Sequence, residues 1–160
     1  MIRNSKLNKS LNEEVIYSLS KNISEKPYIF KDHDVEITVW PEFIDSKSIN
    51  PSNLFIWAYH VRIENRGAKP VKLLSRYWKI IDEQGEIQEI NGEGVIGETP
   101  IISPGQHYQY SSGVHLKNPS GVMMGRYSMI KTETNTYQES FHVKIPTFSL
   151  DVPNLKTTIN

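Results

Sequence analysis

Gly92-Glu93-Gly94-Val95-Ile96-Gly97 spells the G-x-G-x-x-G pattern in a chain of 160 residues. In dinucleotide-binding folds such glycines let backbone N–H groups approach a pyrophosphate at the N-terminus of a helix. The context here differs. A strand at 86–90 precedes the motif, but Pro100 and Pro104 interrupt the segment after it, so no helix supplies the dipole. Residues 112–117 hold no carboxylate where a ribose ligand would stand. Gly92, Gly94 and Gly97 therefore read first as the bends of a tight loop. Their alternative reading is a backbone nest for a phosphate or nucleotide, in a ligand-binding protein or weak hydrolase of phosphorylated compounds, with Arg76 or Arg126 as counter-charge.

Other reactive side chains form no ordered set. His33, His60, His107, His115 and His142 show neither H-x-x-x-H nor H-E-x-x-H spacing, so no metal centre is expected. Asp32-His33-Asp34 packs three ionisable groups together, but consecutive residues near a strand point apart. No G-x-S-x-G elbow occurs. Ser111-Ser112-Gly113 and Pro119-Ser120-Gly121 read as turn chemistry, and no Ser/His/acid set can be ordered from sequence. Glu89, Glu93 and Glu98 read as solvated. No catalytic residue and no cofactor is expected, and an enzyme is disfavoured. Cysteine is absent, which removes disulfides, thiolate metal sites and thiol nucleophiles.

The bulk chemistry narrows the partners. Lys and Arg total 18, as do Asp and Glu, so the formal net charge is zero. Such a chain has no bulk attraction for nucleic acid or anionic membranes. Arg76-Tyr77-Trp78-Lys79 interleaves cations and aromatics but reads as a core strand with charged edges rather than a base-stacking platform. No apolar run nears the roughly 18 residues of a membrane helix, and residues 1–10 carry no apolar signal core. A cytoplasmic location without membrane insertion is expected.

The elements that must position these residues fall into two regimes. In the polar extension 1–33, Ser10 and Glu13 form a capping box, and Leu11, Val15, Ile16 and Leu19 share one face of a short helix around 11–20. After Pro27 the period becomes two. Alternating segments occur at 34–40, 54–64 (with Phe55, Trp57, Tyr59, Val61 and Ile63 on one face), 71–81, 86–90, 106–111, 123–131 and 136–145. Pro146 bends the chain before a last alternation at Phe148, Leu150 and Val152. Seven or eight short strands predict an all-β sandwich of immunoglobulin or fibronectin-type-III kind at 34–153, followed by a tail at 154–160. Tyr127 reads as a tyrosine corner, with Met129 and Trp78 in the core. Loops are expected at 92–105 and 111–121. Glu93, Val95, Ser112, Gly113 and Pro119 are the residues on them expected to meet a protein partner. Exposed strand edges would also allow a homodimer.

Several segments together resemble the ApaG family, also called CorD. They include Val61-Arg62-Ile63-Glu64-Asn65, Leu74-Ser75-Arg76-Tyr77-Trp78, residues 87–100 with the glycine motif, Tyr110-Ser111-Ser112-Gly113, residues 119–127, and Ile145-Pro146-Thr147-Phe148-Ser149-Leu150. The resemblance covers 34–153. It implies a fibronectin-type-III-like sandwich and an association with cobalt and magnesium tolerance or efflux, without an accepted biochemical activity. Its eukaryotic relatives carry the domain in an F-box protein and a polymerase-delta-interacting protein. This implies a non-enzymatic module for protein recognition. Tyr77 and Val114 stand where many members have His and Cys, so neither can ligate a metal or attack through a thiolate here.

Overall fold

A strand with one buried face needs apolar residues at every second position, and that alternation organises this molecule. The computed structural model describes residues 26–44, 54–132 and 139–153. The helix expected around 11–20, its capping box and the tail 154–160 lie outside the described residues. Within them, nine strands succeed one another in chain order: β1 (Tyr28–Asp32), β2 (Val35–Ile44), β3 (Phe55–Asn65), β4 (Val71–Asp82), β5 (Ile87–Glu93), β6 (Ile101–Ile102), β7 (His107–Leu116), β8 (Ser120–Lys131) and β9 (Phe141–Asp151). They form two antiparallel sheets, β1-β2-β3-β7 and β5-β4-β8-β9, with β6 also paired to β4. The fold is the expected all-β sandwich.

Two strands depart from the expected set. β1 lies in the segment that sequence alone assigns to the extension, and β6 lies inside the expected 92–105 loop. β1 joins β2 through a turn in which His33 and Asp34 have φ of 49° and 60°. Paired positive φ values are the mark of a type I′ hairpin, and Asp and His tolerate them better than most residues. Asp32 contacts the His33 ring at 2.8 Å. Its second oxygen accepts the Lys144 backbone N–H of β9 at 3.0 Å. With the Tyr28 hydroxyl 2.9 Å from Ser149 Oγ, this ties β1 to β9 and closes one side of the sandwich.

Trp78 is the largest fully buried side chain. Tyr59, Tyr127 and Phe148 surround it, with ring centroids at 5.2, 6.3 and 6.0 Å in edge-on geometry. Met129 and Trp78 are in the core as expected; Tyr127 is fully buried too, but it is not a tyrosine corner. That motif bonds its hydroxyl to nearby upstream backbone. Here Tyr127 lies deep in β8 and its hydroxyl meets the Tyr110 hydroxyl of the facing sheet.

Irregularities in two strands decide what faces inward. The β4–β8 register shifts between Leu73 and Ser75. Leu74 is the extra residue, and past it the inward positions of β4 change from odd to even numbers. Leu73 and Trp78 are accordingly both buried. In β9 the register shifts where Met123 faces Phe148 and Gly125 faces Ile145. Pro146 does not end the strand there. Lacking an N–H, it sits within a bulge, and the strand continues to Asp151.

Candidate functional site

The glycine motif folds into a small hairpin at the end of β5. Val95 and Glu98 exchange backbone hydrogen bonds of 2.8 and 3.0 Å. Ile96 and Gly97 form its tip with φ of 50° and 70°, as a type I′ turn demands. Gly94, at φ 55°, donates its N–H to the Leu74 carbonyl of the bulge at 2.7 Å.

The bulge also turns Arg76 toward this hairpin. Nη1 of Arg76 donates to the carbonyls of Glu93 and Gly94 at 3.0 and 2.9 Å. A Cβ on Gly92 would lie 2.7 Å from that nitrogen, so glycine lets the guanidinium lie across the strand. Across the sandwich mouth, the Tyr108 hydroxyl of β7 donates to Glu98 Oε2 at 2.8 Å. Burial and this carboxylate together push the Tyr108 hydroxyl up to about 12. Arg76 has no carboxylate partner among the described residues. Its charge acts on the hydroxyls of Tyr59, Tyr110 and Tyr127, but burial dominates and keeps all three raised and protonated.

This geometry gives each glycine a local task. The N–H groups of Gly94, Val95 and Glu98 are all bonded to backbone carbonyls, and Arg76 faces carbonyl oxygens, not an open anion cradle. Arg126 stands elsewhere, stacked 4.3 Å from the centre of the Tyr77 ring. Gly92 and Glu93 belong to β5 rather than to a loop. The side chain of Val95 is fully buried in the core, which removes it as a partner contact. The residue that meets solvent is its neighbour Ile96, 60% exposed.

The remaining expected contacts are not gathered here. Ser112 and Gly113 lie inside β7, because that strand runs on to Leu116 and leaves only residues 117–119 as a connection. Ser112 is half-buried and hydrogen-bonds Tyr59. Pro119 accepts the Val152 N–H at 3.0 Å, near the Asp82 end of β4. The hairpin sits at the Leu74 end, about 27 Å away at roughly 3.4 Å per strand residue.

A second cluster has no local signal in the sequence. Ser111 Oγ lies 2.6 Å from His60 Nδ1, and Glu42 Oε2 lies 2.7 Å from His60 Nε2. Three different strands supply these residues. The only hint in the sequence is that His60 falls on the polar phase of its strand. His107 and His115 stand at opposite ends of β7, about 27 Å apart along the strand. Among the described residues no group of three or more His, Cys, Asp or Glu could hold a metal ion.

The Ile96 tip carries strain that a substitution can release. A β-branched residue at positive φ costs about 1–3 kcal/mol. Ile96→Asn is expected to stabilise the domain by about 1 kcal/mol, read as a higher urea midpoint with an unchanged slope.

The model of the ApaG domain matches residues 45–131. A relative named Protein ApaG from Rhodospirillum centenum is 44% identical over 126 residues, 79% of this chain and 94% of the relative. The chain belongs to the ApaG family. Protein ApaG of Rhizobium meliloti is 46% identical over 127 residues, covering 79% of this chain and 95% of its own length. The crystal structure of the putative ApaA protein from Bordetella pertussis superposes with a TM-score of 0.68 at 34% identity, over 78% of this chain and 98% of that one. In this ApaG domain, Tyr77 donates its hydroxyl to Glu89 at 2.9 Å, and Val114 is buried. No helix of the described residues is long and apolar enough to cross a membrane.

Proposed function

We propose that this ApaG domain is a protein-recognition module that presents Ile96 to its partner. The carrying observation is Ile96 itself, a β-branched apolar side chain 60% exposed at φ 50°. A turn selected for stability alone favours Asn or Gly at that position. Strain concentrated on an exposed apolar residue, in a hairpin braced by Arg76 and Tyr108, is the pattern of a contact held ready for binding. Exposed Gly97 completes the tip, and exposed Glu93 ends β5 just before the hairpin. The phosphate reading has less support, because the Gly94 N–H it would use is bonded within the fold, as are the neighbouring N–H groups of Val95 and Glu98. An involvement in cobalt or magnesium tolerance, implied by the family resemblance, would run through the partner.

The test is quantitative binding. A partner isolated on the immobilised chain should bind saturably, and Ile96→Asp should weaken it at least about tenfold without lowering thermal stability. An unchanged affinity would move the recognition surface away from the hairpin.

A further inference from the structure

The outer face of the four-stranded sheet holds a relay that partner recognition at Ile96 does not use. His60 of β3 is directly opposite Ser111 of β7, and Glu42 lies on the same face of β2, opposite Ala58. An ionised carboxylate only accepts hydrogen bonds. With Glu42 2.7 Å from Nε2, the ring proton sits there, and the Nδ1 lone pair receives the Ser111 hydroxyl at 2.6 Å. This is the polarity of a nucleophile, a base and an acid that orients the base, with the two ring nitrogens exchanged from their usual order.

The surroundings suit that chemistry. His60 and Glu42 side chains are only 17% and 16% exposed, whereas Ser111 is open to solvent. Ala58 and Gly113 form the neighbouring rung, so little bulk stands beside the hydroxyl. Oxyanion donors are also at hand. The Gln106 carbonyl accepts the Asn65 N–H at 3.0 Å on the β3 side. The His115 carbonyl accepts Gln88 Nε2 at 3.1 Å on the opposite side. Backbone groups alternate sides along an antiparallel strand. The N–H groups of Ser111 and Gly113 therefore point out of the open edge of β7, away from the β3 ladder.

We propose that Ser111 is an activated nucleophile for acyl esters, with His60 as its base and Glu42 as the positioning residue. Ser111 Oγ attacks the ester carbonyl while its proton passes to His60 Nδ1. The bond to the leaving alcohol breaks and the alcohol takes that proton, which leaves acyl-Ser111. Water then attacks the acyl carbon with His60 again as base, releasing the acid and restoring the hydroxyl.

The test uses the full chain with p-nitrophenyl acetate. It should release about one equivalent of p-nitrophenolate per chain in a burst, with the acetyl group mapping to Ser111 by peptide mass. Ser111→Ala should abolish that adduct. His60→Gln should slow acylation about 100-fold or more. Glu42→Gln should slow it less. A fluorophosphonate should label the same oxygen, forming P–O and expelling fluoride. Thermal unfolding of each variant checks the fold, and Ser111→Ala carries the test if His60→Gln does not fold. Absence of any adduct at Ser111 with both reagents overturns the proposal. So does an adduct whose rate His60→Gln leaves unchanged, since the row would then be a cross-strand ladder only.

Discussion

Trp78→Ala is expected to lower the unfolding free energy by about 4 kcal/mol, measured by urea denaturation with a reduced midpoint. The indole fills the centre of the sandwich between Tyr59, Tyr127 and Phe148. Both sheets contribute to that cluster, so neither can close over the void alone. The loss combines the transfer free energy of the ring with the cavity left behind, and edge-on aromatic contacts add to it. Such a loss is a large share of the total stability of a small domain. Trp78→Phe should cost far less. It keeps an aromatic ring, and it removes an indole N–H that is buried without a hydrogen-bond partner among the described residues. Equal losses in the two variants would show that the N–H, not the ring, makes the important contact.

Gly94→Ala should be the second costly change, at about 3 kcal/mol or more, while Gly97→Ala should cost only about 1 kcal/mol. A Cβ on Gly94 would lie 2.0 Å from the Glu98 carbonyl oxygen and 2.8 Å from its carbon. These are backbone atoms held by the Val95–Glu98 pair, so relief requires opening the hairpin. Gly97 has positive φ but nothing within 4 Å of its added Cβ, so only conformational strain remains. Gly92→Ala meets the flexible end of Arg76, and its cost is the loosened brace. Gly97→Ala as damaging as Gly94→Ala would refute the account of the motif as turn architecture. The same series should separate binding from stability, because Gly97→Ala leaves the Ile96 presentation largely intact.

The residues that depart from their expected places do so because long-range contacts decide them. Strand ends are set by pairing, not by composition. Gly92 and Glu93 read as loop because glycine and charge are common in loops, yet β4 offers them partners at Arg76 and Ser75. Ser112 and Gly113 read as a turn for the same reason, and β3 pairs with them. Val95 reads as an exposed loop residue because nothing in its neighbours shows that the hairpin folds back onto the core. Tyr127 reads as a tyrosine corner, but its hydroxyl partner comes from the other sheet rather than from nearby backbone.

In β3 the alternation by itself determined which residues enter the core. Trp57, Tyr59, Val61 and Ile63 are all buried as their period-two spacing requires, because a pleated strand sends successive side chains to opposite faces. The absence of helical period from Asp34 onward determined the all-β class, and the ordered motifs identified the family. Tertiary structure alone decided where the reactive groups meet. One extra residue at Leu74 switches the parity of β4 and aims Arg76 at the glycine hairpin. Ser111, His60 and Glu42 meet because β7, β3 and β2 pair in one particular register. A shift of a single residue would send His60 to the other face of its sheet. Strand registers are fixed by long-range packing, and no local pattern in the chain encodes them.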